Sequence, residues 1–444
     1  MLSSPGDTDY SATLRGRILQ LIIHKGSQEI GGTCIQLSQD GTTILLDLGL
    51  PLREESKPVD LSTLNPDAIF VSHPHQDHYG LIVDANPSIP IYMSELGKRL
   101  IDAARIFSHQ APLSNDFHFF KPWISLDIGP FKITPYLMDH SSPDAFAFLV
   151  EADSKRLFYT GDLRAHGRKG VLFERLIENP PPDIDVLLME GTMLGRTSDD
   201  FPTESAVEGK IVEVIKGQRN TSFVICSSQN IDRLVSVFRA CKRTDKFLVV
   251  DVYAAWVLEQ MKLVSDRVPN MFWDEVKVIV SNSQYQVVKA NPEFFGDFQN
   301  EIFKPEHRIK PHEIMAAPAD FVQAIRLSGA RFIEPHLGDQ PVNVIYSQWL
   351  GYLDGDETQY GASQVNRLRD DPRVNFVYAH TTGHALLEDL KRLVASLEPK
   401  HIIPIHTDCP GQFADHFENV KVCEDKQEYD IGNGRIQKVP KTRP

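Results

Sequence analysis

The sequence has little that would staple it covalently: five cysteines (Cys34, Cys226, Cys241, Cys409 and Cys423) in 444 residues, with no C-x-x-C pair. So few thiols, odd in number and scattered, exclude a disulfide framework and a structural zinc ribbon. Positive charge is also short. Against 60 Asp and Glu stand 46 Lys and Arg, a net charge of −14 with His neutral. That excludes holding a polymer through bulk positive charge, though not a local basic groove or a metal-centred site. No apolar run approaches the roughly 18 residues of a membrane span, and the best candidate, residues 247–261, is broken by Asp251. Residues 1–17 are polar, without an apolar signal core, so a soluble, cytoplasmic protein with no membrane partner is expected. Internal repeats and low-complexity tracts are absent as well.

What is present is globular. Hydrophobic residues make up 41% and charged residues 24%, which excludes global disorder. Through residue 192 the chain reads as short strands punctuated by Gly, Asp and His: 17–26, 33–38, 43–50, 67–73, 121–140, 145–163 and 182–192. From about Phe201 the texture becomes α/β. A helical 203–218 precedes a strand at 221–228, a helix at 231–243 and a strand at 246–252, with further strands at 276–283, 330–335 and 342–347. A strand at 374–380, a helix at 385–400 and a strand at 401–407 complete the pattern. The expected organisation is 1–200 and 376–444 forming one domain, split by an inserted α/β domain at 201–375.

The densest chemical signal follows the apolar strand 67–73. His73, His75, Asp77 and His78 stand in the order H-x-H-x-D-H. Imidazole nitrogens and carboxylate oxygens are the ligands that suit zinc and similar divalent ions. One loop cannot close two metal shells. The other polar residues at strand exits, His140, Asp162 and His406, are the candidates to complete them.

This pattern resembles the metallo-β-lactamase superfamily: H-x-H-x-D-H, a preceding strand ending in Asp47, and a later single His and T-G-D. Within it the chain resembles the β-CASP branch of nucleic-acid-processing enzymes, and most of all ribonuclease J-like nucleases. Glu190 in MEGT, His384 in TTGHA and His406 in PIHT match the branch's further motifs. The resemblance implies an α/β fold, the αββα metallo-β-lactamase sandwich with an inserted β-CASP domain. It implies one metal on His73, His75 and His140, another on Asp77, His78 and His406, and Asp162 bridging them. Zn²⁺ is the expected ion and Mn²⁺ the alternative. Asp47, Glu190 and Thr192 would support the ligands from behind. An ionised water between the metals would attack phosphorus, with Asp77, Asp162 and His384 as the catalytic groups.

The implied activity is hydrolysis of RNA, as a 5′-end-directed exonuclease, an endonuclease or both. DNA, single-stranded included, is the alternative polymer; a small ester or lactone hydrolase and a non-catalytic scaffold are the other readings. The chain ends soon after His406, which implies that the ribonuclease J assembly domain is missing and leaves homodimerisation open. Ser228, Asn230 and Arg233 in SSQNIDR match an N-x-x-R element that contacts substrate phosphate; an ordinary helix cap is the equal reading. Thr382, Gly383 and His384 match the branch's H-x-S-G-H-A element, with Thr for Ser. Tyr346, Trp349 and Tyr352 offer rings for base stacking, with core packing expected for at least two. Residues 26–33 read as a hairpin turn, and Cys409 as a loop or core thiol.

Overall fold

The computed structural model describes residues 18–196, 202–354, 361–432 and 435–440. The polar 1–17 stretch, the expected boundary at 200/201 and the final residues to Pro444 lie outside these. Alternation sets the first sheet. In β1 (Leu19–Lys25), Leu19, Leu21 and Ile23 are fully buried and the residues between them are not. Slipping that register by one residue would expose all three, at roughly 1.5–3 kcal/mol each. β2 (Cys34–Gln39) and β3 (Thr42–Leu46) form a hairpin around Asp40-Gly41, both at positive φ, as a two-residue turn of matching twist requires. β4 (Ala68–Phe70), β5 (Ile91–Met93) and β6 (Phe117–Phe119) extend this sheet in parallel.

The second sheet opens antiparallel with β7 (Leu126–Ile128), β8 (Phe131–Met138), β9 (Ala145–Ala152) and β10 (Lys155–Tyr159), then turns parallel at β11 (Val186–Glu190). The third sheet is parallel throughout: β12 (Ser222–Ile225), β13 (Phe247–Asp251), β14 (Val276–Ile279), β15 (Arg308–Ile309), β16 (Phe321–Ile325), β17 (Val342–Tyr346) and β18 (Val374–Tyr378). Its spatial order is β15-β14-β13-β16-β12-β17-β18. The chain then returns. β19 (His401–Ile405) pairs with β11, while β20 (Glu428–Gly432) and β21 (Arg435–Lys438) add to the β1 edge of the first sheet.

Among the described residues the first two sheets have eight and six strands. They share one core, where Leu21, Ile35, Ile44, Phe131, Phe148, Leu188 and Ile403 meet. Helices Val171–Glu178 and Leu387–Leu397 cover the outer face of the second sheet. Helix Glu95–Phe107 covers part of the first through Ile101, and its Leu96 and Leu100 join the core of the third sheet. The result is an αββα sandwich carrying an α/β unit between β11 and β19. Among the described residues no helix is long and apolar enough to cross a membrane.

One expected strand is not a strand. Residues 330–335 lie in short 3₁₀ turns, Leu327–Phe332 and Glu334–His336, with Ala330 and Ile333 buried three apart. Pro335 and that three-residue spacing favour the turn. The sheet position is taken by β16, whose mixed FVQAI pattern concealed it.

Candidate metal centre

Each candidate residue sits just past a strand. Asp47 follows β3, residues 72–78 follow β4, His140 follows β8, Asp162 follows β10, and His406 follows β19. Glu190 is the last residue of β11. The 72–78 loop is stitched to the β3 exit by backbone bonds: Asp47 N–H to Phe70 O (2.8 Å), Leu48 N–H to His78 O (2.8 Å) and Leu50 N–H to Gln76 O (2.9 Å). Only glycine permits this approach, because a Cβ on Gly49 would lie 1.7 Å from the Asp77 carbonyl oxygen. Residues 26–33 back the same loops. Thr33 N–H donates to Asp77 O (3.0 Å), and His406 N–H donates to Gly26 O (2.7 Å).

Three imidazole nitrogens converge. His75 Nδ1 lies 3.1 Å from His73 Nε2 and 3.2 Å from His140 Nε2. Tetrahedral zinc with Zn–N bonds of about 2.0–2.1 Å spaces its nitrogens by roughly 3.3–3.4 Å, so the three sit as ligands of one ion would. A second set adjoins it. His78 Nε2 is 3.2 Å from Asp162 Oδ2 and 3.8 Å from Asp77 Oδ2; His406 Nε2 is 3.4 Å from Asp77 Oδ2 and its Nδ1 3.1 Å from Asp162 Oδ1. Asp162 Oδ2 also stands 3.7 Å from His73 Nε2, between the sets. His78 Nε2, His406 Nε2 and Asp162 Oδ1 are buried without a hydrogen-bond partner. Orphaned buried lone pairs are costly unless a ligand uses them. This donor set fits divalent cations.

The backs of the rings are fixed. His78 Nδ1 lies 2.7 Å from Asp47 Oδ2, and His140 Nδ1 donates to Gly383 O over 2.6 Å. Burial, then neighbouring imidazoles, push His73 and His140 well below the ordinary histidine range, and burial takes His75 down to about 4. The first set is therefore neutral near pH 7, with lone pairs available. His78 goes the other way: burial disfavours its charge, but Asp162 and Asp47 raise it well above the usual value. A cation would occupy the place of that proton.

Glu190 ties the rim together. Its Oε1 accepts from Leu163 N–H (3.2 Å) and Ala385 N–H (3.4 Å) and lies 3.3 Å from His384 Nδ1; its Oε2 accepts from Thr192 N–H (3.1 Å). The Thr192 hydroxyl donates to His406 O over 3.3 Å. His384 Nδ1 stands 3.7 Å from Asp162 Oδ2, and the ring is 22% exposed at the mouth. Burial opposes its charge, but Glu190 and Asp162 raise it to about 9. Gly383 makes this closeness possible, since a Cβ there would meet Ser141 Oγ at 2.7 Å.

Two family models match the regions that build this rim. One, described as a β-lactamase superfamily domain, matches residues 42–219. The other, described as a Zn-dependent metallo-hydrolase RNA specificity domain, matches residues 372–425. Together they match more than half of the chain.

The chain belongs to the metallo-β-lactamase superfamily.

Among its superfamily relatives, Probable RNase MJ4 of Methanocaldococcus jannaschii is 26% identical over 227 residues, 45% of this chain and 50% of that protein. Ribonuclease J of Sinorhizobium meliloti is 25% identical over 241 residues, 50% of this chain and 42% of its own length. The chain spans half or less of these two relatives. A crystal structure of a protein of unknown function from Enterococcus faecalis V583 has a TM-score of 0.72 at 19% identity. It covers 93% of this chain and 100% of its own, and shares the fold.

Within the superfamily frame, several expected contacts lie elsewhere. Arg233 is a correction. Its guanidinium is fully buried, donating to Glu204 (3.0 and 3.2 Å), to the Ser347 carbonyl (2.6 Å) and to Thr381 O (3.4 Å), which leaves no donor facing a substrate. Asn230 caps the helix Ile231–Arg243, its side chain accepting from Arg233 N–H (3.0 Å). The cap reading is the one the geometry supports for Asn230. Ser228 is buried nearby, and the Thr382 hydroxyl accepts from His384 N–H (3.2 Å). The aromatic expectation also reverses: Tyr346 is in the core, but Trp349 and Tyr352 are 48% and 43% exposed. Cys409 is half-buried in its loop, as read.

Sequence reasoning missed Arg164, two residues beyond Asp162. It is fully buried, with Nη2 on Asp232 Oδ2 (2.6 Å), Nε on Asp139 Oδ1 (3.3 Å) and Nη1 on Thr382 O (3.0 Å). Lys169 Nζ joins it, donating to His140 O (3.0 Å) and Asp232 Oδ1 (3.1 Å). Only the spacing T-G-D-x-R hinted at this clamp. The Tyr159 hydroxyl, also unforeseen, donates to Asp47 Oδ2.

Proposed function

We propose that this chain is a metal-dependent phosphodiesterase that hydrolyses RNA, directed to the 5′ end, endonucleolytic or both, with two Zn²⁺ ions. The carrying observation is the pair of adjoining donor sets meeting at Asp162, closed at the mouth by His384. His73, His75 and His140 would hold one ion; Asp77, His78 and His406 the other, with Asp162 shared. Bound there, two such ions would supply a water ionised at neutral pH and would offset charge on phosphate oxygens. The inserted domain, 201–375, is read as the wall along which the polymer lies.

This chain's own groups do the rest. Asp47 fixes the His78 tautomer. Glu190 holds the Asp162 and His384 loops at a common height, and Arg164 locks the 382–384 return against the sandwich. His384, its Nδ1 turned toward Glu190 Oε1 at 3.3 Å, would donate from the mouth toward the phosphate or the leaving oxygen. RNA is favoured because residues 372–425, which include His384 and His406, match an RNA specificity domain and the two relatives are named as ribonucleases.

Exposed Trp349 and Tyr352 suit a single strand. Their rings contact edge to face at 5.4 Å, and the Arg196 guanidinium lies 5.5 Å from the Trp349 ring centre. Arg196 and Arg53 both reach Asp408, two residues beyond His406 (3.3 and 2.7 Å), which ties the aromatic pair to the metal rim.

The test is incubation of purified protein with end-labelled RNA and DNA bearing 5′-monophosphate, 5′-triphosphate or 5′-hydroxyl, with Zn²⁺ and Mn²⁺ compared. Metal-dependent release of nucleotides or fragments from RNA supports the proposal. Cleavage of DNA in preference to RNA transfers the reading to a DNA nuclease, and a metal-loaded protein that cleaves neither overturns it.

A further inference from the structure

A second built site lies away from the metal rim, at the carboxyl edge of the third sheet. There a cavity of about 490 Å³ opens above β13, β14 and β16, lined by Val249, Asp251, Ile279, Gln323, Ala324 and Arg326. Topology explains the opening. From β13 the chain runs outward to β14 and β15, whereas from β16, seated beside β13, it crosses β12 to reach β17 and β18. Two neighbouring parallel strands thus send their connections in opposite directions, and the loops part over them. In open parallel sheets such a crevice is where ligands bind. The volume falls in the usual range of small-molecule sites.

The lining is unfinished without an occupant. Gln323 is 5% exposed, and its Nε2 is buried with no hydrogen-bond partner. Arg326 Nε is likewise buried and unpartnered, although Nη2 of the same side chain binds Asp251 Oδ2 (3.1 Å). Two idle donors in one crevice call for acceptors on a ligand. Around them the walls are apolar, with Ile314 buried and with Met315 and Phe332 both more than half exposed at the mouth. The rim is positive. The Arg331 guanidinium lies 5.0 Å from the Phe332 ring centre, and the N-terminal end of helix Asn282–Ala290, capped by Ser281, lines the cavity.

We propose that this crevice binds a nucleoside monophosphate. The base enters the apolar slot beside Phe332, where Gln323 Nε2 and Arg326 Nε donate to its ring nitrogens or carbonyls. The phosphate stays at the rim, with Arg331 and the helix end. Both features are needed: the base matches the idle donors, and the anion matches the rim.

Isothermal titration calorimetry on the full chain tests this with 5′-AMP and 5′-UMP as probes, and with adenosine and inorganic phosphate as the halves. AMP or UMP is expected to bind in saturable fashion, with affinity falling about tenfold in Gln323→Leu and in Phe332→Ala. The exposed position of Phe332 keeps that variant informative should Gln323→Leu misfold. His75→Ala, which alters the metal rim alone, should bind as the parent does. No saturable heat with either nucleotide overturns the proposal. So does binding lost in His75→Ala but kept in both crevice variants, or binding of adenosine or phosphate as tight as that of the nucleotide.

Discussion

His78 Nδ1 meets Asp47 Oδ2 at 2.7 Å, and this contact decides which nitrogen of the ring faces the metal centre. Asp47 also accepts from the Ser72 backbone N–H (2.7 Å), the Ser72 hydroxyl (2.8 Å) and the Tyr159 hydroxyl. It does so from a left-handed backbone at φ 61°, a conformation that costs a non-glycine residue about 1–3 kcal/mol. Four bonds to one strained carboxylate hold the His78 Nε2 lone pair toward Asp162. Asp47→Asn puts an amide N–H among these donors. Metal affinity is expected to fall about 10- to 100-fold, read by competition with a chromophoric zinc chelator. An affinity equal to the parent's would remove Asp47 from the centre.

Arg164 joins the sandwich to the inserted unit through Asp139, Asp232 and Thr382, all out of solvent. Removing one partner of a buried ionic cluster leaves the others uncompensated, at about 3–5 kcal/mol. Arg164→Met should therefore lower the denaturant midpoint strongly. Adding Asp232→Asn to it should recover part of the loss, because one stranded charge is gone. Two additive losses in the double variant would contradict the clamp.

His384 touches Glu190 and Asp162 and stands outside both the three-histidine and the Asp77 ligand sets, although with His140 and Asp162 it forms a further group close enough to hold an ion. His384→Ala is expected to cut RNA turnover by about 10²-fold or more, the usual worth of a positioned proton donor. Zinc content by elemental analysis should stay at the parent's level. Loss of metal along with activity would make the residue a ligand instead.

The sandwich strands, the H-x-H-x-D-H loop and the strand-exit positions of His140, Asp162 and His406 were legible because each rests on a local pattern. A period of two, an apolar run that stops in His or Asp, and a fixed spacing are all visible within ten residues. β16 was not, since FVQAI alternates poorly and its partners β13 and β12 lie about 70–100 residues away. The roles of Arg233 and Arg164 were hidden for a related reason. An arginine near a helix start looks like an anion ligand until Glu204 arrives from another helix and fills its fork. Exposure of Trp349 and Tyr352 was equally unreadable, because YSQWLGY carries no period that separates a core face from a solvent face.

Trp349 and Tyr352 stand exposed and in edge contact, and the Tyr352 phenol is raised first by the protein packed around it and then by Asp77. On the proposed reading this pair would stack a base of the single strand. Stacking on one aromatic ring is worth about 1–3 kcal/mol per base. Trp349→Ala should then raise KM for single-stranded RNA about 5- to 100-fold while hydrolysis of a small phosphodiester is unchanged. A fall in both activities would mean that the ring supports the centre itself.

The His380 imidazole gives the fold a pH dependence of definite sign. Its Nδ1 lies 3.3 Å from Arg233 Nη1, and burial together with that guanidinium pushes it from 6.5 down to about 3. Between these values the unfolded chain takes up a proton that the folded chain refuses, so stability rises with pH across the window. Stability from this group is complete above about pH 6.5 and is lost as pH falls toward 3. Asp232, held at about 2 against an ordinary 3.8 because Lys169 and Arg164 outweigh its burial, acts in the same direction but only below about pH 4. Asp144, raised by burial from 3.8 to about 6, acts in the opposite direction between those values, and it is common to the parent and to a His380 variant. Thermal unfolding of the parent and of His380→Asn from pH 8 to 4.5 isolates the contribution of His380, since the other buried imidazoles are common to both. The parent should lose more Tm over that range than the variant, and parallel curves would show that His380 is protonated in the folded chain.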